Sequence, residues 1–165
     1  MFAPPIIDRA EAVIRRATAR GLRLRTAESC TGGLVAGALT AIAGSSSVVD
    51  RGFVTYSNEA KTALLGVPAA VIEAHGAVSR ETAEAMARGA VAGAPDVLAI
   101  SITGIAGPGG GSPNKPVGLV WCGVALGDRV ETVERRFGAL GRDQVRQAAV
   151  EAALDLLLER LGPPS

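Results

Sequence analysis

Seven consecutive uncharged residues, Val97-Leu98-Ala99-Ile100-Ser101-Ile102-Thr103, restrict this chain more than any other stretch. A strand buried on one face alternates apolar and polar residues. One that reads apolar throughout is covered on both faces, which is the signature of a central strand. The run therefore predicts a sheet with a helical layer on each side. The chain is 48% hydrophobic and only 3% aromatic, so Ala, Val, Leu and Ile must make those layers. Small side chains of this kind allow helices to lie close to the sheet.

The remaining segments supply the layers. Pro4-Pro5 opens a helix in which Ile6, Ile7, Ala10, Val13, Ile14 and Ala17 recur at helical spacing until Gly21. Its arginines, Arg9, Arg15, Arg16 and Arg20, are expected on the solvent face. A short strand over Leu22–Ala27 and a helix over Gly33–Ile42 follow, then a loop at 43–47 and a strand over Val48–Ser57. A short helix begins at Ser57 or Asn58 and stops at Gly66-Val67-Pro68. Another covers Pro68–Ala74, and Ser79 caps a longer one over Arg80–Gly93. After the Val97–Thr103 strand come strands over Gly118–Leu126 and Val130–Phe137, joined by a Gly127-Asp128 hairpin turn. A helix over Arg142–Leu161 ends the pattern. The expected fold is α/β: residues 1–165 as a single domain, one mixed β-sheet with helices on both faces.

Composition narrows the function. A net charge of +1 and few aromatic rings argue against a nucleic-acid-binding surface. No apolar run reaches the length of a membrane span, and Met1–Ile7 has no leader-like apolar core, so no membrane partner and a cytoplasmic location are expected. Cys30 and Cys122 lack metal-ligand spacing and His75 is the single histidine, so no metal and no cofactor are expected.

The loop from Thr103 to Pro116, TGIAGPGGGSPNKP, invites a nucleotide-binding label but fails both tests. A P-loop needs Gly-Lys-Ser/Thr opening a helix, and here Asn114 precedes Lys115 while a strand follows. The dinucleotide pattern lacks its third glycine, at Ser112. What survives is a backbone able to converge amides on an anion near Gly104 and Gly107, with Lys115 as an added positive charge. The competing reading is a plain crossover loop.

Another junction carries nucleophiles. Thr26-Ala27-Glu28-Ser29-Cys30-Thr31-Gly32-Gly33 joins a strand to a helix, placing a hydroxyl and a thiol where amides of Thr31, Gly32 and Gly33 and a helix dipole meet. Taken alone, it also reads as a capped helix start. Ser29 or Cys30 would need a base. His75 stands in a polar turn, which leaves Lys61, in the run Thr55-Tyr56-Ser57-Asn58-Glu59-Ala60-Lys61, as an amine that burial could bring toward neutrality. Arg142 and Arg146, four apart on one helical face, suit a phosphate, the competing reading being a charged helix start balanced by Asp143.

Together, Thr26–Gly33, Arg51–Lys61, His75-Gly76-Ala77-Val78-Ser79 and the Gly104–Gly118 loop resemble the CinA C-terminal domain family, also known as nicotinamide-nucleotide amidase (PncC). The resemblance covers nearly the whole chain. It implies hydrolysis of nicotinamide mononucleotide to nicotinate mononucleotide and ammonia, in pyridine-nucleotide recycling, by a compact α/β domain that is commonly a homodimer. It places the family's serine on Ser29, its lysine on Lys61, its tyrosine on Tyr56 and further site hydroxyls on Ser46 and Thr103, with an arginine at Arg142 or Arg146. In the scheme this suggests, Ser29 attacks the carboxamide, Lys61 takes the serine proton and Tyr56 hydrogen-bonds the lysine or relays the proton. Amides near Thr31–Gly33, with Ser46, meet the oxyanion. The rival readings are a binding module for a phosphorylated ligand and a cysteine amidase acting through Cys30. Longer family members carry a separate N-terminal domain, whose activity is not expected of these 165 residues.

Overall fold

In the computed structural model, which describes residues 1–164, the uncharged run forms β3, Val97–Gly104, the central strand of a five-stranded sheet. Every residue of β3 but its last is buried. Its neighbours are β1, Arg23–Glu28, and β4, Leu119–Leu126; β2, Val49–Val54, and β5, Arg129–Arg136, are the edges, in the order β2-β1-β3-β4-β5. β1 runs parallel to β2 and β3, whereas β3–β4 and β4–β5 are antiparallel, the latter pair joined at Gly127-Asp128. The mixed α/β sheet expected from the sequence is therefore the one observed.

Helices cover both faces. On one, α1 (Pro4–Arg20), α2 (Leu34–Thr40) and α6 (Arg142–Leu161) bury a core of Val13, Leu24, Leu39, Ile100, Ile102, Leu154 and their neighbours. On the other, α3 (Asn58–Leu65), α4 (Ala69–His75) and α5 (Arg80–Val91) close over Ala27, Ala99, Met86 and Val97. The start signals act as expected: Ser57 accepts from the Ala60 amide at 3.0 Å and Ser79 from the Thr82 amide at 3.1 Å. Observed element ends lie within three residues of the sequence reading, and both limits of α6 coincide with it. The segment expected as a plain loop at 43–47 contains a single 3₁₀ turn, Ser45–Ser47.

One packing feature departs from the sequence reading, and a second was not foreseen in it. Arg9, Arg16 and Arg20 do not simply face solvent. Arg9 Nε donates to Asp155 at 2.8 Å, Arg16 to the Gly162 carbonyl at 2.7 Å and Arg20 to the Leu161 carbonyl at 3.0 Å. They fasten α1 along α6, and two of them satisfy carbonyls at the end of α6. Gly89 on α5 lies so close to α3 that a Cβ there would fall 1.9 Å from the Leu65 carbonyl oxygen. That contact sets the height of α3, the helix that carries Lys61, above the sheet. Among the described residues no helix is long and apolar enough to cross a membrane.

Candidate active site

β1 sends the chain through α2 to β2 on one side, and the chain then returns past β1 to β3 on the other. In open parallel sheets such a reversal leaves a crevice at the strands' carboxyl ends. Ser29 follows β1 directly, its amide donating to the Ile102 carbonyl at 2.9 Å. Continuing the Glu28–Ile102 and Glu28–Val54 registers by one residue sets Ser29 between Thr103 and Thr55. The crevice therefore presents a row of hydroxyl residues.

Lys61 enters this row from the second turn of α3. Its amine donates to Ser29 Oγ at 3.0 Å and to the Thr55 carbonyl at 2.8 Å. The side chain is only 1% exposed, and neither partner is charged. Burial pushes the amine below the ordinary lysine value of 10.5, with the Cys30 thiol a smaller influence in the other direction. Cys30 is buried against Gly104, and desolvation pushes its thiol up to about 12, so it stays protonated at neutral pH. Of the two adjacent nucleophile candidates, only Ser29 touches a base.

The turn after Ser29 needs left-handed backbone at Gly32, φ 58°, and Gly33, φ 98°. Its helix, however, does not offer its N-terminus to a ligand. Glu28, fully buried, points to the α2 side of the sheet. Its carboxylate accepts from Thr31 Oγ1 at 2.7 Å and from the Val35 and Ala36 amides at 2.9 and 3.0 Å. The expected convergence of the helix dipole on a substrate anion is thereby corrected: the protein's own carboxylate occupies that position. Thr31 likewise turns its hydroxyl inward, which leaves only its backbone for a ligand.

Several other sequence-derived residues have different partners from those expected. Tyr56 does not hydrogen-bond Lys61. Its ring is exposed, and its hydroxyl accepts from Arg142 Nη2 at 2.8 Å. Arg142 also donates to the Gly107 carbonyl at 2.9 Å, tying the β2–α3 link to the glycine loop. Arg146 donates to the Cys30 and Thr31 carbonyls at 3.1 and 3.3 Å and braces the turn. Thr103 is buried beside Ser29, and its hydroxyl donates to the Ala77 carbonyl at 2.7 Å. Lys115 donates to the His75 carbonyl, so it staples the glycine loop to the α4–α5 link and does not reach toward the crevice.

Ser46 does not reach the crevice within its own chain. Its 3₁₀ turn precedes β2, whose first residue pairs with Leu24, five residues before Ser29 along a parallel strand. At the rise of an extended chain that is roughly 15 Å away, at the opposite end of the sheet. Sequence reasoning also missed Glu28. The available signal was an acid at the end of a strand, four residues ahead of the Gly-Gly pair that opens the next helix.

Among the described residues no three His, Cys, Asp or Glu side chains are grouped to hold a metal ion. A groove of about 650 Å³ lies elsewhere, bounded by Arg16, Phe137, Glu151 and Asp155 among others. It contains no nucleophile beside a base, which leaves the Ser29 crevice as the candidate site.

A model of the CinA C-terminal domain matches residues 7–161. Similar sequences include a putative competence-damage inducible protein of Caldicellulosiruptor bescii, 50% identical over 92% of this chain but 36% of that protein. A CinA-like protein of Citrifermentans bemidjiense is 55% identical over 83% of this chain and 33% of its own length. The chain thus spans about a third of these curated relatives. The crystal structure of competence/damage inducible protein CihA from Agrobacterium tumefaciens superposes with a TM-score of 0.93 at 51% identity, covering 98% of each chain. A CinA superfamily protein from Klebsiella pneumoniae superposes at 0.89 with 40% identity, covering 94% of this chain and 97% of that one.

Proposed function

Since this chain belongs to the CinA C-terminal domain family, we propose that it is an amidohydrolase that releases ammonia from nicotinamide mononucleotide by a Ser29–Lys61 mechanism. The observation that carries this reading is the buried Lys61 amine, held 3.0 Å from Ser29 Oγ with no charged partner. The choice of nucleotide comes from the family resemblance, and the geometry supports the reaction class.

In the proposed reaction, neutral Lys61 accepts the Ser29 proton as Oγ bonds to the carboxamide carbon. The amide π-electrons move to oxygen, where backbone amides of the 30–33 turn stabilise the charge. As the tetrahedral centre collapses, the C–N bond breaks and Lys61 returns the proton to the departing nitrogen, giving ammonia. Water then adds to the acyl ester, losing its proton to Lys61. Collapse expels Ser29 Oγ, which regains that proton, and the acid is released as its carboxylate. Arg142, exposed and with donors beyond its two protein contacts, is the arginine assigned to the 5′-phosphate, with the backbone around Gly104 and Gly107 beside it. On this reading residues 1–165 act as one amidohydrolase domain, as a homodimer in the cytoplasm.

The test is ammonia release from nicotinamide mononucleotide by the wild type, Ser29→Ala and Lys61→Ala. Release by the wild type alone is expected. A wild type that binds the nucleotide and releases no ammonia would replace the enzyme with a ligand-binding module.

A further inference from the structure

Glu28 has no part in the reaction as drawn above, yet it is wholly buried beside the nucleophile and enters no ion pair among the described residues. A buried carboxylate is expensive unless its oxygens are well satisfied. An ordinary Ser or Thr cap would satisfy a single amide of a helix start. Glu28 instead satisfies two, from Val35 and Ala36, and also the Thr31 hydroxyl. Side chains alternate along a strand, so this carboxylate sits on the face of the sheet opposite the Ser29 hydroxyl and adds no charge within the crevice.

The consequence is a turn held from two sides. Glu28 grips Thr31 and the first turn of α2 from within, and Arg146 grips the Cys30 and Thr31 carbonyls from α6. Inside the turn, the Gly32 amide donates to the Ser29 carbonyl and the Leu34 amide to the Thr31 carbonyl. Among the described residues none accepts from the Thr31 or Gly33 amide. The Cys30 amide likewise has no acceptor among the described residues, so three unspent donors lie in this segment, within four residues of the hydroxyl that would attack.

We propose that Glu28, through Thr31, is a positioning residue that fixes the 30–33 backbone so that these unspent amides meet the oxyanion. This inference rests on the amidase reading. Its energetic basis is preorganisation: a donor already aimed at the developing charge needs no reorganisation during reaction, whereas a loosened turn loses part of that advantage.

The experiment compares Glu28→Gln, Thr31→Val and Thr31→Ser in steady-state ammonia release. Glutamine presents an NH₂ where the carboxylate accepted from an amide or from Thr31. Glu28→Gln is expected to lower kcat by roughly tenfold to a hundredfold, less than outright removal of an oxyanion donor. KM should stay within about twofold and the pH midpoint should be unchanged, because the Lys61 contacts are intact. Thr31→Val should follow Glu28→Gln, and Thr31→Ser, which keeps the hydroxyl, should restore kcat. Wild-type kcat in both Glu28→Gln and Thr31→Val, a loss confined to KM, or failure of Thr31→Ser to restore activity overturns the proposal. If Glu28→Gln does not fold, the Thr31 pair decides alone. An inactive wild type is a separate outcome, which removes the amidase reading and this inference with it.

Discussion

Lys61 Nζ lies 3.0 Å from Ser29 Oγ although 32 residues separate them in the chain, and its second partner is the uncharged Thr55 carbonyl. A lysine so placed is unfavourable for stability, since desolvation of its charge is not offset by a counter-charge. It is useful for a base, because the same desolvation favours the neutral amine.

Stability should therefore improve when the amine is removed. Lys61→Met, of similar length, is expected to abolish ammonia release and raise thermal stability by about 0.5–2 kcal/mol, the usual range for relieving a strained functional site. Paired measurements of activity and melting temperature check both halves. Lost activity together with lower stability would show that the amine is a structural anchor.

The pH dependence has a definite sign. Burial lowers the native Lys61 value below 10.5, so between the two values the unfolded chain binds more protons than the folded one. Stability attributable to this group should rise with pH across that window and be lowest below the native value, where both states are protonated and the burial cost is complete. Lys61→Met should lose this rise. Activity should climb over the same limb as the amine loses its proton, with a midpoint below that of a free lysine.

Cys30 is not expected to substitute for Ser29. Its thiol is pushed up to about 12 and contacts no base. Ser29→Ala should reduce kcat by at least roughly 10⁴-fold, by analogy with loss of a nucleophile in a serine hydrolase. Cys30→Ala should retain most activity, with only a modest packing cost. The opposite pattern of ammonia release would assign the nucleophile to the thiol.

The two arginines should separate kinetically. Arg142→Ala removes an exposed guanidinium and should chiefly raise KM for the nucleotide, leaving a smaller effect with an amide that lacks the phosphate. Arg146→Ala removes the donor to Cys30 and Thr31 and should chiefly lower kcat. Kinetics on phosphorylated and unphosphorylated amides distinguish these outcomes.

Gly89→Ala tests the scaffold. A methyl group there would lie 1.9 Å from the Leu65 carbonyl, so α3 must move or the substitution must destabilise the fold by about 1–3 kcal/mol, the range for overpacking. Either result reaches Lys61, and activity should fall more than that of a Gly→Ala change at the open Gly21 position.

Much of this protein was readable in its sequence for local reasons. The uncharged run at 97–103 identified the central strand because burial on both faces makes a charge costly unless it finds partners. The limits of α6, the Ser57 and Ser79 caps and the Gly127-Asp128 turn were readable because they depend on neighbours within a few residues. Resemblance added the family, and with it the pairing of Ser29 with Lys61.

What only the tertiary structure decided depends on elements far apart in sequence. Ser46 lies at the wrong end of the sheet because parallel pairing sets the start of β2 beside the start of β1. Tyr56 meets Arg142 because α6 returns its first turn to the crevice, 86 residues later. The buried state of Lys61 depends on how closely α3 approaches the sheet, and Gly89 sets that distance from another helix. A sequence specifies which side chains can act as acid, base or nucleophile. Their pKa values and partners follow from desolvation and distance, and those exist only once the layers have packed.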